Sequence, residues 1–276
     1  MKSEPVNAYK ILNNLLSYLA ISVLTLLLGC AHLVPFPSGK PFSQKDTSYL
    51  ISQLREQGEK INSFQVVGRL RFIDREEETE ANLFAVGCRP FKVRLELTHP
   101  WGKPLLHILV DERDISVLSL IDNKFFKGPS SLLNTEQFFF FGLDLDSAWK
   151  ILSGRVPIIP HCRAVSLKPS EISLYNRQGE VVEIISFTSK PFLPRSVYFP
   201  KKEINIILSE FKEGALGPHH SRIRVVKGDE NQLIEIRYKN LKLNKPIPEE
   251  IFRLNPPPDF EIIRLNYHER QGISPP

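Results

Sequence analysis

From residue 64 to residue 238 the chain repeats one pattern: short runs with an apolar side chain at every second position, separated by connections that contain Gly, Pro, Asp or Asn. A period of two puts alternate side chains on opposite faces of a strand. Val66, Gly68, Leu70 and Phe72 share one face while Arg69 and Arg71 take the other, and Phe91, Val93, Leu95 and Leu97 alternate with Lys92, Arg94 and Glu96. Further strands are predicted over residues 81–86, 105–110, 115–121, 172–175, 181–188, 195–199, 204–208, 222–226 and 233–238. The short connections suit antiparallel neighbours in a meander.

Two stretches depart from this period. Residues 46–61 carry Leu50, Leu54 and Ile61 at helical spacing, so an amphipathic helix capped by Asp46 or Thr47 is predicted. Between residues 128 and 160 two short helices fit. The first contains the run Phe138 to Phe141. The second starts at Asp146, carries Trp149, Ile151 and Leu152, and stops at Gly154. An antiparallel sheet of about ten or more strands curls, and helices on its concave face complete a half-open, incomplete β-barrel. The expected fold is therefore mainly β: a strongly curved antiparallel sheet closed by a helical lid that includes Phe138, Phe141, Trp149 and Leu152. Leu70, Phe72, Leu95, Leu97, Ile108 and Val110 are the expected lining of the interior. Periodicity alone does not separate a lipid cavity from a dry core.

The amino-terminal end has its own logic. Lys2 and Lys10 precede an apolar stretch over residues 15–28 that ends at Gly29-Cys30. This stretch is shorter than the roughly 20 apolar residues of a spanning helix, and it has the basic and hydrophobic regions of a signal peptide, residues 1–29. Leu27-Leu28-Gly29-Cys30 looks like a lipobox, with Cys30 receiving lipid; Leu28 is larger than is usual at its place. Several acyl chains on one residue suffice for stable anchoring, which one chain does not give. Residues 30–44, with Pro35, Pro37 and Pro41, read as a flexible tether. Residues 45–254 then form the folded domain and residues 255–276, with Pro256-Pro257-Pro258, a proline-rich tail.

Composition narrows the function. A formal charge of +5, with Lys and Arg scattered through the strands, argues against nucleic acid. No nucleophile elbow, phosphate loop or zinc-spaced cysteine pair is present, so no catalytic residue, metal or cofactor is expected. His219 and His220 are adjacent in a strand and point to opposite faces. Glu76, Glu77 and Glu78 read as a solvated hairpin tip. Cys88 and Cys162 remain after Cys30, and whether they meet is left open.

Three segments resemble the LolA/LolB family, its LolB-type lipoprotein receptors above all: residues 64–74 with Gly68; residues 91–102 ending in His99-Pro100-Trp101-Gly102; and residues 145–157 with Trp149, Gly154 and Pro157. The resemblance covers about residues 30–160 and rests on the order and spacing of its segments, since no single one of them is specific. It implies a monomeric, non-enzymatic lipoprotein at the outer membrane, facing the periplasm. Such a protein takes acyl chains into an apolar cavity and receives lipoproteins from a LolA-like periplasmic carrier. Pro100, Trp101 and Gly102 then form a membrane-inserting loop. The family's receptors present a leucine where this chain has Trp101, and its second half is longer than theirs. The alternative is a structural or assembly lipoprotein of the same fold, which recruits an envelope partner without moving lipid.

Overall fold

The order of the strands dictates where the helices must lie. The computed structural model describes residues 39–74, 77–131, 143–189, 191–214, 216–228 and 232–265, and contacts separate Met1–Ser38 from Gly39–Pro276 as two units. Cys30, the signal peptide, Phe138 and Phe141 therefore lie outside the described residues. Within the second unit α1 (Gln44–Glu59) precedes a first antiparallel meander of β1 (Ser63–Asp74), β2 (Glu77–Cys88), β3 (Lys92–Thr98), β4 (Pro104–Asp111), β5 (Asp114–Ser119) and β6 (Lys124–Pro129). After α2 (Leu145–Leu152) comes a second meander: β7 (Arg163–Val165), β8 (Glu171–Tyr175), β9 (Val181–Phe187), β10 (Pro194–Phe199), β11 (Ile204–Lys212), β12 (His219–Lys227) and β13 (Gln232–Leu243). β14 (Glu261–Arg264) ends the described chain.

The fourteen strands of the described residues form one sheet, ordered β14-β6-β5-β4-β3-β2-β1-β13-β12-β11-β10-β9-β8-β7. The meanders meet where β1 pairs antiparallel with β13. The sheet is open, with β14 and β7 as its edges, and register shifts at Val67/Gly68 and Leu97/Thr98 bend it. Gly68 permits the first of these, because a Cβ there would stand 2.4 Å from the Arg237 carbonyl oxygen.

The chain leaves β6 near one edge and re-enters at β7, the opposite edge, so the connection between them has to traverse a face of the sheet. The face it meets is the apolar one. Pairing puts Leu70 beside Ile236 and Ala81, Leu95 beside Ala85 and Ile108, and Ile206 beside Val225. α2 covers this face with Ser147, Ala148, Trp149, Lys150, Ile151 and Leu152 all buried. After β13, residues 244–260 return across the opposite face, where the Arg94 guanidinium donates to the Ile251 and Arg253 carbonyls at 2.8 and 2.9 Å. Glu261–Arg264 then adds to β6 in parallel, so the expected proline-rich tail contains a strand of the sheet.

Local chemistry fixes α2. Asp144, two residues before the expected cap Asp146, accepts from the Ser147 amide at 2.7 Å. At the other end Gly154 has φ +72°, the Gly154 amide donates to the Ile151 carbonyl and the Arg155 amide to the Lys150 carbonyl, a Schellman ending. Trp149, with none of its surface exposed, lies edge-on to Phe64 at 4.9 Å between centroids and tilted against Phe91 at 5.2 Å. The Arg89 guanidinium sits 5.1 Å above its ring. The Tyr238 hydroxyl donates to the Ile151 carbonyl at 2.6 Å.

The indole fits because residue 87 is glycine. A Cβ there would lie 2.5 Å from a Phe64 ring carbon and 2.7 Å from a Trp149 ring carbon. Gly87→Ala is expected to cost about 1–3 kcal/mol by overpacking, read as a lower midpoint in urea unfolding. Combining it with Trp149→Phe is expected to cost less than the sum of the two single changes. Strict additivity would contradict the contact.

Candidate functional site

The six positions expected to line an interior do share the concave face. Leu70, Leu95 and Leu97 are buried in the main core, Val110 is buried in a smaller cluster with Ile115, Val117 and Phe126, and Phe72 and Ile108 are half-buried. Four of the six are packed among other described core residues, and period two reports which face a residue takes and not whether space remains above it. Trp149 and Leu152 are equally buried, so α2 is a wedge set into the core.

Open space lies elsewhere, under α1. That helix is capped by Ser43, whose hydroxyl accepts from the Asp46 amide at 3.2 Å; the expected caps fall inside the helix, and Thr47 is buried. The end of the expected tether is already docked: the Phe42 amide donates to Ser166 Oγ at 2.9 Å, and its ring stands edge-on to Phe187 and Phe192. Between α1 and the β9–β12 part of the sheet is a cavity of about 80 Å³. Its apolar wall includes Leu50, Leu54, Val156, Phe187, Phe192 and Phe211, and Arg155 and His220 also line it.

These two polar residues, and Glu183, were not singled out as a site by sequence. Arg155 is 3% exposed; it donates from Nη1 to the Pro218 carbonyl and from Nη2 to the Leu216 carbonyl at 2.9 and 3.0 Å. Its Nε finds no partner. Burial lowers its pKa, but a guanidinium stays charged. His220 and its neighbour Ser221 are buried and His219 is only partly buried, so β12 does not alternate strictly at this end. Burial, with the Arg155 charge, brings the His220 pKa down to about 3, so the ring is neutral, and its Nδ1 has no partner. Glu183 occupies an inward position of β9 in line with Ile185 and Phe187. Its Oε2 accepts from the Ile159 amide at 2.9 Å and its Oε1 has no partner. Burial raises its pKa to about 8. A carboxylate at an otherwise apolar alternate position was the sequence signal for it.

The loop between β3 and β4 projects. The His99 amide donates to the Lys103 carbonyl and the Gly102 amide to the His99 carbonyl, both at 2.7 Å, and Gly102 takes φ +93°. This tight turn leaves Trp101 92% exposed, its ring tilted against His99 at 4.9 Å between centroids. Cys88 and Cys162 carry free thiols. Among the described residues no cluster of three potential metal ligands exists, and no helix is long and apolar enough to cross a membrane.

Comparison with known proteins bears on the fold. No protein-family model and no curated protein matches the chain. A DUF1329 family protein from Desulfovibrio piger superposes with a TM-score of 0.53 at 10% identity, covering 76% of this chain and 97% of its own. A putative outer membrane lipoprotein-sorting protein domain from Vibrio parahaemolyticus gives 0.50 at 9% identity with the same coverages. The chain shares their fold. A LolA superfamily protein from Nitrosomonas europaea follows at 0.48 and 16% identity, over 74% of this chain and 97% of its own.

Glu183 makes stability depend on pH. Its folded pKa of about 8 exceeds the ordinary 4.5, so as pH rises the unfolded chain ionises first and stability falls until about pH 8. His220, with the opposite shift, loses stability only below its ordinary 6.5. Between these limits the wild-type Tm is expected to fall with pH, and that of Glu183→Gln to stay level, in scanning fluorimetry. Parallel slopes would contradict the assignment.

Proposed function

We propose that this is a lipid-anchored envelope lipoprotein that takes acyl chains between α1 and the apolar sheet face, and delivers them to the outer membrane beside Trp101. The observation that carries the proposal is the cavity already present under α1, walled by Leu50, Leu54, Phe187 and Phe192 on a curved apolar sheet. At about 80 Å³ it is smaller than the roughly 300–1,000 Å³ of a small-molecule site, so a whole chain enters only as α1 lifts. Magnitudes permit this. Lifting α1 exposes chiefly Ile51 and Leu54, at about 1.5–3 kcal/mol each, whereas burying about ten methylenes gains about 8 kcal/mol. No covalent step or nucleotide is required. α2, held at both ends and by Trp149, remains the fixed floor.

Within this reading Cys30 carries the anchoring lipid, the cargo is the acylated end of a lipoprotein handed over by a LolA-like periplasmic carrier, and the protein works as a monomer. The fold shared with a putative lipoprotein-sorting domain supports it. Tryptophan suits a membrane interface, where its ring is apolar and its N–H stays wet, and Trp101 stands clear of the protein. Burial of Leu70, Leu95, Leu97 and Val110 favours the second reading, an assembly lipoprotein that recruits a partner without binding lipid.

One experiment separates them. Residues 31–276, lacking signal and lipid, are expected to bind a fluorescent lipopeptide at one per chain and to pass it to vesicles, with Trp101→Glu slowing the transfer but not the binding. A well-folded protein that binds none supports the assembly reading; unimpaired transfer by Trp101→Glu removes the role of that loop.

A further inference from the structure

The cavity under α1 mixes an apolar wall with four polar side chains, Gln53 and Gln57 from the helix and Arg155 and His220 from beneath it, and of these Arg155 alone carries a fixed charge. Arg155 is a buried cation that makes no ion pair with a carboxylate among the described residues. Its two bonds to the Pro218 and Leu216 carbonyls use one hydrogen each of Nη1 and Nη2 and neutralise no charge. Nε–H, on the edge of the guanidinium, has no acceptor among the described residues, and Nδ1 of His220, another residue that lines the cavity, has no partner there either; both atoms are buried. Buried charges are ordinarily paired, and a guanidinium edge matches the geometry of a carboxylate. An uncharged cargo would leave both groups as they are.

We infer that Arg155 and His220 form the head site for the carboxylate of an aliphatic acid, whose chain leaves along Leu50, Leu54, Phe187 and Phe192. Arg155 Nε–H donates to one carboxylate oxygen and His220, in its Nδ1–H form, to the other. The cavity of about 80 Å³ receives the head and the first carbons, and Phe192, 41% exposed, marks the mouth. Bound free acid then differs from esterified cargo in being held at both ends. This rests on the acyl-binding reading above and adds the charge of the ligand to it.

The test is competition on residues 31–276, which keep every described element of the fold, against a fluorescent fatty acid as the bound probe. Dodecanoic acid is expected to displace it at about one tenth of the concentration that dodecanol needs, the ratio that one charged hydrogen bond gives; acetate is expected to be ineffective. Arg155→Gln is expected to bring acid and alcohol together while leaving the alcohol unchanged. Acid and alcohol of equal strength on the wild type would overturn the head site and leave acyl binding intact, and this comparison holds even if Arg155→Gln fails to fold. Acetate as strong as dodecanoic acid would reduce the site to a small-anion pocket and overturn the inference. Failure of the probe itself to bind would remove acyl binding and, with it, the head site.

Discussion

Trp149 against Gly87, Phe64 and Phe91 is the contact on which the arrangement of this protein depends. Two meanders joined at β1 and β13 leave the connecting chain to run from β6, beside one edge strand, to β7 at the other edge, and that chain has to cross the apolar face. Crossing is stable only if the connection buries something large there, and the indole, entirely buried, does so. Glycine at residue 87 lets the ring approach the β2 backbone. The Asp144 cap, the Schellman ending and the Tyr238 hydroxyl satisfy the ends and last turn of a helix far too short to stand alone in water.

The two helices consequently differ in kind. α2 is buried from Ser147 to Leu152 and bonded to the sheet. α1 buries only Thr47, Ile51, Leu54 and Gly58 of its sixteen residues, and beneath it lie the cavity and the unpaired Arg155 Nε. A helix with a thin apolar stripe over an imperfectly filled space has few buried contacts to lose, and segments of that kind are the ones that open when ligands bind. Unpartnered Glu183 Oε1, Arg155 Nε and His220 Nδ1 sit in the core of the second meander.

Strand parity was legible because one face is buried throughout: every position expected to face inward from Leu70 to Val110 does so. Three strands were not. β7 has three residues and β14 four, too few for a period to register, and β14 follows Pro256-Pro257-Pro258, which reads as a stop. β6, Lys124–Pro129, has its adjacent Phe125 and Phe126 both buried, so no period of two marks it. The cap of α1 was misread for a similar reason: Thr47 suits a cap by type, yet it is buried inside the helix, and Ser43 was hidden among residues that read as tether. Packing above the concave face was beyond reach, since a leucine that walls a cavity and one that fills it have the same spacing. The Gly154 ending was readable, as it is decided by local backbone chemistry.

Native mass spectrometry of the mature protein released gently from membranes addresses the central claim, that the apolar face under α1 holds an acyl chain. A second population heavier than the lipidated chain by one fatty acid or one acylated lipid, lost on mild activation, is the predicted result. A single mass equal to the lipidated chain alone, even after exposure to excess lipopeptide, would mean that the face is only a core.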